Sequence, residues 1–246
     1  MRIVMREIFQ TKKRYANLPL FEFMRDEALT PRQRLGFFPC MAPFILAFGD
    51  LNKYVMRDEA CADPYQKLVN AHTYEDDHHW PWYLEDMTAL GLDAPMSPTR
   101  LLHSLYSDEM KVNRMLMTRL AHLSYGATPV QRLAIIEAIE ETGNVLFSLT
   151  AALASRIERE ENITLRYLGH FHFDLETGHA MNGADHREFA AIVLDESQRS
   201  QTLAQVKRVF EYFEEWTEEL LIYARARLDG RKRITSNSTA MAVGTQ

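Results

Sequence analysis

The chain predicts an all-α protein, a multi-helical bundle, on three observations. Strand signals are nearly absent, with no Asn-Gly or Asp-Gly hairpin turn standing between alternating apolar runs. Helix starts recur in one form: Thr30-Pro31, Asp63-Pro64, Ser97-Pro98 and Thr128-Pro129 each place a side-chain acceptor at the N-cap and proline directly after it. The acceptor satisfies an orphan backbone donor, and proline loses nothing there because its missing N–H had no partner. The segments between these marks are long, and Gly91, Gly126 and Gly230 are placed to stop helices.

In chain order the expected helices cover 3–15, a short piece at 19–27, then 31–59, 64–90, 98–125, 129–160, 163–181, a second short piece at 185–194, and 197–229. Pro39 and Pro43 should kink the helix over 31–59, and Pro81 the helix over 64–90. No linker composition interrupts the chain, so residues 1–230 are expected to form a single helical domain. The Ser-, Thr- and Ala-rich end, 231–246, lacks apolar periodicity and is expected to be disordered.

Composition narrows the function. Hydrophobic residues make up 46% of 246, enough for a sizeable core. A net charge of −6 without a basic run argues against nucleic acid as a partner. Two cysteines, Cys40 and Cys61, are too few for a disulfide scaffold and read as small hydrophobes in a reducing compartment. The charged N-terminus has no signal-peptide core, and the richest apolar run, Leu35–Phe48, is short and holds two prolines. A cytoplasmic protein with no membrane span is the expectation.

The residues that speak of chemistry lie in two segments. In the later one, His172, Glu176 and His179 stand at i, i+4 and i+7. A helix turns about 100° per residue, so Glu176 and His179 both return within about 40° of the direction of His172. Their neighbours Leu168, Phe171, Phe173 and Leu175 are apolar, and burying such groups without partners is costly, a penalty that a bound cation removes. In the earlier segment, His72 and His79 are two turns apart with Glu75 between them. His78 competes with His79 for the inward position, and Asp76 and Asp77 complete the polar run. A third helix offers Glu137 and Glu141, one turn apart, with small residues Thr142 and Gly143 following. Imidazole and carboxylate together suit iron, manganese or zinc.

At these residues the chain resembles the heme-oxygenase-like diiron oxidases and oxygenases, which share their helical fold with heme oxygenase, TenA proteins and the quinone-cofactor synthase PqqC. That pattern has a Glu and a His seven apart on one helix, a lone Glu on a following helix, and His-x-x-x-Asp-x-x-His on a late one. The run from His172 through Glu176 to His179 matches the last element with Glu for Asp; His79 matches the first His, and Glu141 the lone Glu. The flanks Ala28–Phe38 and Ala89–Asp93 are also similar. His72 stands where the pattern has its first Glu, so either His72 is itself a ligand, or Glu75 takes that place from the next turn, or one metal position is weakened.

The resemblance implies a heme-oxygenase-like bundle whose metal ligands are His72, Glu75, His79, Glu141, His172, Glu176 and His179. It further implies two iron ions, with manganese as the other candidate, O2 activation, and oxidation of a small organic substrate. Residues 1–60 contain no histidine for a proximal heme ligand, and neither cysteine has a neighbouring His or carboxylate pattern marking a nucleophile. The alternatives are a metal-free PqqC- or TenA-like enzyme, a ligand-binding protein of the same fold, and a ferritin-like diiron bundle. The last would use Glu75-x-x-His78, Glu176-x-x-His179, Asp50 and Glu141. By analogy the bundle is also expected to be able to form a homodimer.

Overall fold

In the computed structural model the backbone is described for residues 1–179 and 189–243, and the side chains for 1–175 and 189–229. Among the described residues there is no strand. All four proline-marked helix starts are built as the sequence dictates. Thr30 and Thr128 form capping boxes: each hydroxyl accepts from the backbone N–H three residues on, and Gln33 or Gln131 reaches back to the cap N–H at 2.8 and 2.9 Å. Asp63 accepts from the N–H groups of Tyr65 and Gln66, and Ser97 from that of Arg100.

The first two helices, α1 (Arg2–Tyr15) and α2 (Pro19–Arg25), fall close to expectation. The segment expected as one kinked helix over 31–59 is four pieces instead. These are α3 (Pro31–Arg34), a 3-10 turn Phe38–Met41, α4 (Ala42–Leu51) and a π turn Asn52–Met56. Pro39 and Pro43 each sit in the first turn of a new piece, where a missing N–H is harmless; they restart helices rather than bend one. Pro81 does the same, so the helix expected over 64–90 is two, α5 (Pro64–Asp76) and α6 (Trp80–Ala89). The segment over 98–125 divides into α7 (Pro98–Leu105), a 3-10 turn and α8 (Lys111–Ser124). Gly91 and Gly126 both adopt positive φ beyond their helices, as stops do.

The centre of the bundle is α9 (Pro129–Glu161), unbroken and ending at Asn162 in the left-handed conformation. It packs against α1, α5, α10 (His170–His179) and α11 (Glu196–Val243). The late histidine helix starts at residue 170, not 163, because 163–169 form turns. The last helix runs on past Gly230, which was expected to stop it. Of the short piece expected at 185–194, residues 189–191 are helical, and those before them lie outside the described residues.

The stretch Pro31–Met56 is long and apolar enough, by length and composition alone, to cross a membrane, contrary to the expectation drawn from its prolines. More than half of its most apolar window is buried inside the bundle, where Phe37, Phe38, Met41 and Leu51 are fully enclosed. It is accounted for as core. Along α9 the enclosed residues include three carboxylates, Glu137, Glu140 and Glu141. Buried charge of that density requires partners, and these locate the site.

Candidate metal centre

Three side chains from two helices converge at the middle of α9. Nε2 of His72 lies 2.9 Å from Oδ2 of Asp76, one turn along α5, and 3.4 Å from Oε1 of Glu140 on α9. One ligand atom from each of the three lies within 4.8 Å of the other two. The group continues through two more imidazoles. Nδ1 of His79 is 4.0 Å from Oδ1 of Asp76, and Nε2 of His172 on α10 is 3.3 Å from Nδ1 of His79. Asp76, His79, Glu140 and His172 are all buried.

Each ring is held from behind. His172 Nδ1 is 2.9 Å from the carbonyl oxygen of Tyr167, so in the neutral ring it donates there and Nε2 carries the lone pair, facing His79. His79 stacks on Trp82, centroids 4.5 Å apart and planes 19° from parallel, and the Arg166 guanidinium lies 4.4 Å from the Trp82 ring. The turn before α10 is latched to α6 by Asp86, whose carboxylate accepts from the N–H groups of Arg166 (2.6 Å) and Leu168 (2.8 Å). Burial pushes this carboxyl up to about 6, with its backbone donors working against the rise.

The C-terminal end of α5 is fixed by Arg57, which directly follows the π turn. Its guanidinium donates to the Thr73 hydroxyl, to the Thr73 carbonyl (2.8 Å) and to Oδ2 of Asp77 (2.6 Å). Gly49 lets α4 come close to the same turn: a Cβ there would lie 2.8 Å from the backbone oxygen of Asp77.

Electrostatics give the group its character. Burial disfavours a charged His72, but Asp76 and Glu140 outweigh it and raise the imidazole well above its ordinary value. Without a metal ion this site therefore holds a proton on His72 between two carboxylates. On the neighbouring face of α9, burial and the Glu141 charge push Glu137 up to about 7, partly offset by His72 and Lys12. Glu141 is ion-paired with the Lys12 ammonium of α1.

Of the expected ligands, His72, His79 and His172 meet in this group. Glu75 does not: it is exposed, and its neighbour Asp76 supplies the carboxylate of α5. Glu141 is buried but turned to Lys12, and Glu140 supplies the carboxylate of α9. The side chains of Glu176 and His179 lie outside the described residues. The rival histidine, His78, has a side chain 60% exposed, which decides for His79. The ferritin-like arrangement loses three of its members, since Glu75, His78 and Asp50 are all exposed. Asp76 stands four residues after His72 and three before His79, a helical spacing that could have found it. Nothing in the spacing of Glu140 against Glu141 distinguishes them.

The donor set suits a first-row divalent ion: three imidazoles and two carboxylates, all nitrogen and oxygen. Two imidazole nitrogens each about 2.1 Å from a shared ion stand roughly 3.0–3.4 Å apart, a range that includes the His79–His172 spacing. Among the described residues, the His72–Asp76–Glu140 group could hold one metal ion.

Part of the group lines a cavity of about 650 Å³, including its mouth to solvent. Asp76, His79, Glu140 and His172 line it, and most of the other described lining residues are apolar, among them Phe44, Phe48, Leu146, Phe147, Phe213 and Trp216. The cysteines are unsuited to nucleophilic work here. Cys40 is buried, with its thiol pushed up to about 12 by burial and by Glu219 and Glu109, and Cys61 lies outside the cavity lining.

No family model and no curated protein matches the chain. Among solved structures it is similar to a TenA homolog from Pseudomonas syringae pv. tomato strain DC3000, at a TM-score of 0.57 and 13% identity over 89% of this chain and 91% of that one. The chain has a TenA-like, heme-oxygenase-like all-helical fold.

Proposed function

We propose that the chain is a metal-dependent enzyme that activates O2, with iron as the first candidate ion and manganese as the second, and oxidises a small organic substrate. The observation that carries this reading is the convergence of His72, Asp76 and Glu140 beside the His79–His172 pair, against a largely apolar cavity. A redox-active ion bound there supplies the O2 chemistry. The protein's own part is to hold that ion and to exclude water.

His72, His79, His172, Asp76 and Glu140 would be its ligands. The Tyr167 carbonyl sets the His172 tautomer and the Trp82 stack sets the His79 plane, so both rings arrive oriented. The aromatic walls keep water from the reacting atoms and bind the substrate body. The fold likeness alone does not choose an activity.

A metal-free reading has one observation in its favour. His72, its proton held by Asp76 and Glu140, forms an ion triad that is complete without a metal. Anaerobic loading with ferrous iron separates the two. The metal reading expects retained iron, O2 uptake on exposure to air, and loss of both in His172→Ala. Full activity after exhaustive chelation, or no iron retained under any loading, supports the triad instead.

A further inference from the structure

We propose that the cavity beside the centre binds a monofunctional amphiphile: a hydrocarbon body with one polar end group, that end turned to the His/Asp/Glu cluster. The proposal rests on the metal-enzyme reading for the role of that cluster and adds the substrate class.

Among the described residues, the ionisable lining is clustered and set apart from most of the apolar lining. The described ionisable side chains that line it, Asp76, His79, Glu140 and His172, form one cluster, and the Tyr167 ring packs 4.6 Å from His172 beside it. Thr142 also lines the cavity, but its hydroxyl donates to the Ile139 carbonyl at 2.7 Å. The remaining described lining is mostly hydrocarbon and aromatic, with Phe44, Ile45, Phe48, Leu146, Phe213 and Trp216 among it. The Trp216 indole N–H turns away from the cavity's needs and donates to Asn113 Oδ1 at 2.6 Å. A ligand with polar groups at both ends would bury one of them against these walls, which is costly. A ligand with one polar end matches the lining along its whole length.

Gly143 supplies an independent observation. It sits inside the 33-residue helix α9, where glycine is the least favourable residue apart from proline. Packing does not require it: an added Cβ would meet only the Phe147 ring, at 3.5 and 3.7 Å, which is ordinary contact. Gly143 lines the cavity, three residues from Glu140, so a missing side chain there leaves room for a ligand body next to the cluster.

The three tryptophans of the chain report on this space, since Trp80 and Trp216 line it and Trp82 stacks on His79. The experiment titrates n-alkylamines, n-alkanols and n-alkanoates of increasing length into the full chain, following tryptophan fluorescence. It is run on chelated protein and again with divalent metal added. Within the preferred series, affinity should rise about three- to fourfold per methylene until the cavity is full, then level or fall.

Gly143→Leu should move that break to shorter chains, and Leu146→Ala should move it to longer ones. Gly143→Ala, with folding checked by circular dichroism and melting, guards against the larger substitution simply unfolding the helix. The proposal is overturned if α,ω-diamines or diacids bind as well as their monofunctional counterparts. A length profile without a break, or one that Gly143→Leu and Gly143→Ala both leave unmoved, overturns it as well. Failure to retain metal would sink the metal-enzyme reading yet leave the length profile in place, so the two outcomes are separable.

Discussion

Nε2 of His172 faces Nδ1 of His79 across 3.3 Å, joining two side chains 93 residues apart in sequence. Neither ring is free to drift, because a backbone carbonyl fixes one and an indole stack fixes the other. A pair of imidazoles so held, next to Asp76, could take up a cation with little rearrangement.

Metal binding is expected to release a proton. Burial alone would favour neutral His72, but Asp76 and Glu140 hold its proton well above the ordinary histidine value. A metal ion must displace that proton. In chelated protein the charged His72 contributes stability fully below its unfolded value of about 6.5, and that contribution is lost as pH rises through the raised folded value. Affinity for a divalent ion should therefore climb with pH. Calorimetric titrations in two buffers of different ionisation enthalpy measure the proton count, and an enthalpy independent of buffer would contradict the assignment.

Glu137→Gln should stabilise the metal-free protein at pH 8. Burial and Glu141 raise the carboxyl to about 7 from 4.5. The folded state then keeps a proton that the unfolded state gives up, so stability falls as pH rises from 4.5 to 7 and the full penalty stands above 7. At 1.36 kcal/mol per unit the penalty is roughly 3 kcal/mol. Urea melts of wild type and variant at pH 4 and pH 8 test this: the variant should gain at pH 8 and little at pH 4.

Asp86→Ala should loosen the approach to α10. It leaves the N–H groups of Arg166 and Leu168 without their acceptor, at a cost of about 1–3 kcal/mol, more than a truncation of the same size at an exposed site. Because these residues flank Tyr167, whose carbonyl orients His172, metal affinity should drop as well. Asp86→Asn keeps one acceptor and should recover part of both. Unchanged affinity in Asp86→Ala would dissociate the latch from the centre.

Gly49→Ala should be disproportionately harmful for one added methyl. The new Cβ would stand 2.8 Å from the Asp77 oxygen, a backbone atom that cannot rotate away, so the α5–α6 turn must shift. A loss of about 1–3 kcal/mol is expected from such overpacking, with weakened metal binding, since Asp76 and His79 flank Asp77. Gly143→Ala is the matched control, because its methyl meets only a ring at ordinary contact distance.

Most of the architecture was legible because it is written locally. Thr30, Asp63, Ser97 and Thr128 cap the helices they announce, and the unbroken α9 ends within a residue of expectation. The breaks were less legible. Proline inside a helical pattern reads as a kink, whereas Pro39, Pro43 and Pro81 each open a new piece in space.

That difference explains the carboxylate assignments. Counting phase from His72 to His79 assumes one continuous helix, but α5 ends at Asp76 and His79 caps the next helix. Within α5 the acid that meets His72 is Asp76, a full turn on, while Glu75 is exposed. On α9, Glu140 and Glu141 differ by about 100° of helix rotation, and only the neighbours decide which faces the histidines. Lys12 of α1 claims Glu141, and His72 of α5 claims Glu140.

The central claim is that His72, Asp76, His79, Glu140 and His172 hold a metal ion. Elemental analysis of anaerobically iron-loaded protein tests it most directly, with wild type compared against Asp76→Asn, Glu140→Gln and Glu75→Gln, all checked for folding. The account predicts iron retained by wild type and by Glu75→Gln, and lost or sharply reduced in Asp76→Asn and Glu140→Gln. Iron absent from wild type, or iron retained equally by all four proteins, would contradict it.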